Sequence, residues 1–128
     1  MDNTLGLDWV CGRHTFALNI GELRMLQKNC NAGPEAILIR LRTGLWEVDD
    51  IVEILRLGLI GGGMESAEAG PMVRHACDIA PLLSYKPMAY DILAAALIGN
   101  TDDPVGEQPG VSQVETDGSS PKSTVQVP

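Results

Sequence analysis

The stretch Val48-Asp49-Asp50-Ile51-Val52-Glu53-Ile54-Leu55-Arg56-Leu57-Gly58-Leu59-Ile60-Gly61-Gly62-Gly63 carries an amphipathic helix together with both of its ends. Val48, Ile51, Val52, Leu55 and Leu59 recur at i, i+3 and i+4 spacing and form one apolar stripe. Asp49 and Asp50 sit where the positive end of the helix dipole favours acids. Gly61, Gly62 and Gly63 end the pattern and read as a C-cap and flexible turn that fixes the exit of the helix. A stripe of this kind needs apolar partners, and the flanking sequence supplies them on both sides.

Upstream, Leu7, Trp9 and Cys11 alternate with Asp8 and Val10, and His14, Phe16 and Leu18 alternate with Thr15 and Ala17. The period of two, interrupted at Gly12-Arg13, predicts a β-hairpin closed by a two-residue type II′ turn. A lone hairpin is marginal in water, so its apolar face is expected to cover the helices. Asn19 with Glu22 three residues on is a capping-box variant that starts a helix through Leu23, Leu26 and Cys30. Pro34 suits the first turn of the next helix, which runs through Ile37, Ile39 and Leu41 to Gly44. Its two arginines, Arg40 and Arg42, read as a solvated, dipole-favoured helix end. Downstream, a helix is expected over about residues 67–79, with Met72, Val73, Ala76 and Ile79 on one side and Pro71 either starting or bending it. A linker from Pro81 to Pro87 and a last helix over about residues 88–98 close the pattern at Gly99-Asn100. The fold class is therefore α+β, mainly α: an N-terminal hairpin packed on a bundle of four to five short helices, forming one domain over residues 1–100.

Residues 101–128 differ in kind. They contain no aromatic residue, no Leu and no Ile, and they hold five acids (Asp102, Asp103, Glu107, Glu115, Asp117) against one base, Lys122. Such a segment buries too little apolar surface to offset its ordering entropy and is expected to be a disordered acidic tail. Over all 128 residues, 9 Lys plus Arg against 17 Asp plus Glu give a formal charge of −8. That charge argues against nucleic acid as a partner, since phosphate binding needs a clustered basic face. No apolar run reaches the roughly 18 residues of a membrane span. The N-terminal residues lack the pattern of a signal peptide, and three cysteines without a disulfide spacing fit a reducing cytosol.

Little here suits catalysis. Cys11, Cys30 and Cys77 with His14 and His75 could in principle supply a thiol–imidazole pair or a zinc site. His75 and Cys77, two apart on a helix, point away from each other, and the cysteines read as small core residues. The Gly61–Gly63 run is no phosphate loop, because Met64 and Glu65 follow where Lys and Ser or Thr are required. The expectation is no enzyme, no cofactor and no metal. What remains is a surplus of apolar residues outside the stripes: Leu38, Leu45, Trp46, Leu57, Ile60, Leu82, Leu83 and Met88. Contiguous exposed apolar area marks a protein partner, and Trp46, Leu57 and Ile60 are the candidate contacts.

The order of these features resembles the tail assembly chaperone family of gene transfer agents and of long-tailed phages and prophages. The resemblance rests on Cys11-Gly12-Arg13-His14-Thr15-Phe16-Ala17-Leu18, then Ile20-Gly21-Glu22-Leu23-Arg24-Met25-Leu26-Gln27, then Leu41, Gly44 and Trp46. Its most specific stretch is Ile54-Leu55-Arg56-Leu57-Gly58-Leu59-Ile60-Gly61-Gly62-Gly63. It closes on Pro81-Leu82-Leu83 and the Ala-rich run around Ile92-Leu93-Ala94-Ala95-Ala96-Leu97. The Gly70-Pro71 break departs from the family's pattern. The resemblance implies a non-enzymatic protein of the bacterial host cytosol that coats the apolar, helical tape-measure protein and recruits tail tube subunits. It also allows self-association. Helix-in-groove docking suits such a partner, and release suits modest affinity multiplied over many copies. The rival expectation is a small structural virion component, a tail completion or connector protein.

Overall fold

The structure, a computed structural model, describes residues 2–100; the acidic tail expected over 101–128 lies outside the described residues. A β-hairpin of β1 (Leu5–Trp9) and β2 (Gly12–Phe16) precedes five α-helices: α1 (Ile20–Cys30), α2 (Pro34–Thr43), α3 (Val48–Gly61), α4 (Ser66–Ile79) and α5 (Lys86–Ile98). A 3-10 turn at Leu82–Tyr85 leads into α5. This is the mainly helical α+β architecture that the periodicities predict.

The hairpin turn is not where the sequence suggests. Trp9 pairs with Gly12, Leu7 with His14 and Leu5 with Phe16, so the loop is Val10-Cys11 rather than Gly12-Arg13. Neither Val10 nor Cys11 has a positive φ, which excludes a type II′ turn, whereas Gly12 sits at φ 105°. Two ordinary residues followed by a left-handed glycine is the pattern of a type I turn closed by a bulge. Each β1 residue thus meets β2 four positions earlier than the Gly12-Arg13 turn requires. A shift by an even number preserves the alternation, so Leu5, Leu7 and Trp9 still share the inward face with Phe16 and His14.

The helix starts are chemically specified. The Asn19 N–H donates to Glu22 Oε1 at 3.0 Å, closing the capping box of α1. Pro34 occupies the first turn of α2, where its missing N–H costs no hydrogen bond. At α3 the Glu47 N–H donates to Asp50 Oδ2 at 2.9 Å. Pro71 lies inside α4, which starts at Ser66 and buries Ala69, Val73 and Ala76, while Ile79 is 51% exposed. The expected linker at Pro81–Pro87 is instead the 3-10 turn and the first turn of α5, two residues earlier than Met88.

Helix α3 is the hub. It packs against α1, α4, α5 and β2, and α2 reaches the core by packing on α5. Ile51, Ile54, Leu55, Leu57 and Leu59 of α3 join Phe16, Leu18, Leu26, Ile37, Leu41, Val73, Ile92 and Leu93 in one apolar core.

Candidate interaction surface

The glycine run sets the seam between hairpin and helices. The Met64 N–H donates to the Leu59 carbonyl at 2.9 Å and the Gly63 N–H to the Ile60 carbonyl at 3.0 Å, with Gly63 at φ 116°. This pair of bonds is a Schellman C-cap, and partly buried Met64 supplies its apolar contact. The same glycines also hold two backbones together. A Cβ on Gly61 would overlap the Ala17 carbonyl oxygen, and one on Gly62 would overlap the Thr15 carbonyl oxygen. One turn earlier, the Ala17 N–H donates to the Gly58 carbonyl at 3.0 Å, and Gly58 lies against Phe16. The expected flexible turn is therefore a tight joint: Gly61 and Gly62 are small because β2 and the residues after it pass directly over them.

At the opposite end of α3, Asp50 is fully buried. Arg40 of α2 grips it with Nε to Oδ2 at 3.0 Å and a terminal nitrogen to Oδ1 at 2.6 Å. Arg40 is thus no solvated helix end, whereas Arg42 is exposed. Between α1 and α3, Asn29 donates to Glu53 Oε1 at 2.7 Å and Arg56 donates to both Glu53 oxygens. Arg56 first, then Asn29, hold the Glu53 carboxyl below the ordinary carboxylate range against the opposing effect of burial.

The groups capable of chemistry are dispersed. Trp9 Nε1 donates to His14 Nδ1 at 2.9 Å, so this imidazole nitrogen is the acceptor of a structural bond. Trp9 also meets Phe16 and Tyr85 edge to face, with ring centres 5.5 and 5.9 Å apart. The Tyr85 hydroxyl donates to the Ala76 carbonyl at 2.6 Å. The Cys11 thiol points at the Met72 carbonyl and the Cys30 thiol at the Asp49 carbonyl. Burial, then the negative charges of Asp50 and Glu53, push the Cys30 thiol up to about 12, the opposite of what a nucleophile requires. Among the described residues, no group of three His, Cys, Asp or Glu side chains is placed to hold a metal ion.

Apolar surface is what the fold leaves open. Of the surplus residues, Leu38 and Leu57 are core, 6% and 4% exposed. Trp46, Ile60, Leu82 and Met88 are half-buried against the core, and Leu45 and Leu83 are exposed. Leu57 therefore offers a partner no surface in this conformation, because α3 is covered on several sides and the residue between its stripes is also buried. Trp46 lies in the corner between α2 and α3, near Leu45, the most exposed large apolar residue among those described at 72%, and Val48 at 58%. Leu45 is held in place by its N–H to the Arg40 carbonyl, next to Gly44 at φ 83°. The corner is thus a fixed apolar projection with Trp46 at its base. A second feature is a groove of about 340 Å³ between β1 and α5, lined by Leu5, Leu7, Tyr90, Ala94 and Ile98 together with the polar Asp91 and Asn100. Sequence periodicity missed it because α5 carries apolar residues on every side and shows no stripe.

No helix among the described residues is long and apolar enough to cross a membrane. Residues 4–99 match the model of a family described as phage tail tube protein, GTA-gp10. No curated protein and no solved structure matches the chain.

Proposed function

The chain belongs to this GTA-gp10 phage tail family, its role lies in the structure or assembly of a phage-type tail, and from that premise we propose that it is a tail assembly chaperone. In this reading it binds the tape-measure protein during tail assembly in the bacterial host cytosol and recruits tail tube subunits. The observation that carries the proposal is the α2–α3 corner, where Leu45 and Val48 project from a rigid frame. The frame is held by the Arg40–Asp50 pair, which ties α2 to the first turn of α3. A preorganised apolar knob can engage an apolar helix without first ordering itself, which lowers the entropic cost of each contact. A small knob keeps single contacts weak, and many copies along one long partner supply avidity while leaving each copy releasable.

The family's description favours a second reading, in which the chain is itself a component of the tail tube. The two readings differ in what remains after assembly. Mass spectrometry of purified tails or particles is the direct test. A chaperone is absent or present in trace amounts, whereas a tube component is among the most abundant chains.

A further inference from the structure

Strand β1 belongs to a sheet of two strands, so only one of its edges is paired with a strand. Trp9 and Gly12 flank the two-residue loop as a hydrogen-bonded pair, and along an antiparallel ladder such pairs alternate with unbonded ones. Leu5, Leu7 and Trp9 therefore turn their N–H and C=O groups to β2, while Thr4, Gly6 and Asp8 turn theirs to the opposite edge. The bonds at the chain end agree. The Asn100 N–H donates to the Asp2 carbonyl at 3.0 Å and its side-chain amide to the Thr4 carbonyl at 3.2 Å, both on that outer edge. Past Thr4 the edge is open. Among the described residues nothing bonds the outward groups of Gly6 and Asp8, and both residues are exposed. An open edge is a template for another strand, and β1 has neither the Pro nor the Lys that commonly blocks one.

The groove between β1 and α5 lies beside this edge. A strand added there continues the pleat of β1, so its alternate side chains, about 6.6 Å apart, enter the groove with those of Leu5 and Leu7. The α5 wall of the groove from Asp91 to Ile98 is about 10 Å long at the helical rise, room for two such side chains. The two places differ in chemistry. One lies over Ala94 and Ile98, and Ile98 is 65% exposed. The other lies over Tyr90 and Asp91, and Asp91 is exposed with no ion pair among the described residues. Beyond Asp91, Lys86 and Arg42 line the next hollow and repel any further cation.

We propose that this edge takes an extended segment of another protein, which pairs with Gly6 and Asp8 and carries an apolar side chain and a single Lys or Arg two residues apart. Main-chain bonds supply the affinity, and the two groove positions select the sequence. The apolar side chain packs on Ala94 and Ile98. The cation lays its stem along Tyr90 with its head at Asp91. The formal charge of −8 draws such a basic segment in. The chain's own residues 101–128 do not offer the pattern: their one base, Lys122, has Ser120 and Thr124 at that spacing.

The probe is the blocked peptide Thr-Ile-Thr-Lys-Thr-Ile-Thr, whose pattern reads the same in either strand direction. It is titrated into the full chain up to about 5 mM and followed by NMR. In the free chain the Gly6 and Asp8 amides are expected to exchange rapidly with solvent. With peptide at about ten times its dissociation constant they are expected to exchange about tenfold more slowly. A peptide with Glu in place of Lys is expected to bind about fivefold more weakly, and Asp91→Lys, at an exposed position, is expected to reverse that preference. Gly6→Pro removes an outward N–H, a change an edge strand tolerates, and a Cβ there meets only the Arg13 side chain. It is expected to abolish binding while circular dichroism stays unchanged. Gly6 and Asp8 amides that already exchange slowly in the free chain show that residues 101–128 or a second copy cover the edge, and overturn the proposal. A peptide that causes no shift overturns it too, as does equal binding to the Gly6→Pro chain or a Lys preference that survives Asp91→Lys. The edge is separate from the α2–α3 corner, so this test and that of tape-measure binding fail independently.

Discussion

A methyl group is enough to distinguish the glycines of this chain. Gly61→Ala or Gly62→Ala drives a Cβ into a backbone carbonyl of the segment Thr15–Ala17, and a backbone has no rotamer by which to withdraw. Each is expected to cost about 3 kcal/mol or more in urea denaturation, from overpacking and backbone displacement. Gly21 is the control. A Cβ there meets open space in the first turn of α1, so Gly21→Ala is expected to stabilise by about 0.5–1 kcal/mol through lower unfolded-state entropy. Asp50 is the other position where one residue decides much. Asp50→Ala leaves the Arg40 guanidinium and the Glu47 N–H without their partner, and the expected loss is about 3–5 kcal/mol. The run of three glycines was visible in the sequence as a helix stop, but the close approach was not. Nothing local distinguishes a glycine needed for its φ, such as Gly63, from one needed for its missing side chain, such as Gly61. The Arg40–Asp50 pair was equally hidden, because the same residues fit the helix-dipole rules on their own helices.

Helices α1 and α3 are joined through Asn29, Glu53 and Arg56, and that contact depends on pH. Arg56 and Asn29 hold the Glu53 carboxyl below its ordinary range, so its proton is bound less tightly in the folded chain than in the unfolded one. The stabilisation is therefore fully present above the unfolded value of about 4.3 and is lost as pH falls through the lowered folded value. Glu53→Gln is expected to flatten this acid limb of the stability–pH curve, read from urea midpoints between neutral pH and pH about 3. On the alkaline side the sign reverses. The Cys30 thiol, pushed up to about 12 by burial and by Asp50 and Glu53, keeps its proton in the folded chain after the unfolded chain has released it. Stability is then expected to fall as pH rises from about 9 towards the folded value, and Cys30→Ala removes that slope. Helix starts and the α3 stripe were legible because caps and periodicity act within a few residues. The hairpin register was not, because Gly12 marks a turn region without fixing which pair of residues is central. The turn at Val10-Cys11 is set by how Leu5, Leu7 and Trp9 seat on the helices, a tertiary choice that strand alternation leaves open.

For the whole molecule, the question is which surface a hub-and-spoke core leaves free. A hub helix such as α3 is covered on more than its stripe, which is why Leu57 is internal although its spacing places it off the apolar face. Apolar exposure falls instead between the helices and at their ends, and most strongly at Leu45 in the corner where α2 hands over to α3. Leu45→Asp combined with Val48→Asp changes two largely solvated side chains, so the melting temperature is expected to stay within a few degrees of the parent. The same pair is expected to abolish tape-measure binding, which a structural role for these residues would not predict. The most direct test of the proposed function is co-expression of the full chain with the tape-measure protein of the same tail, followed by size-exclusion chromatography with light scattering. The tape-measure protein is expected to become soluble and to elute with many copies of this chain, and the Leu45→Asp, Val48→Asp variant is expected not to accompany it. A tape-measure protein that remains insoluble beside a folded, unbound chain would contradict the chaperone reading and leave the tail tube reading in its place.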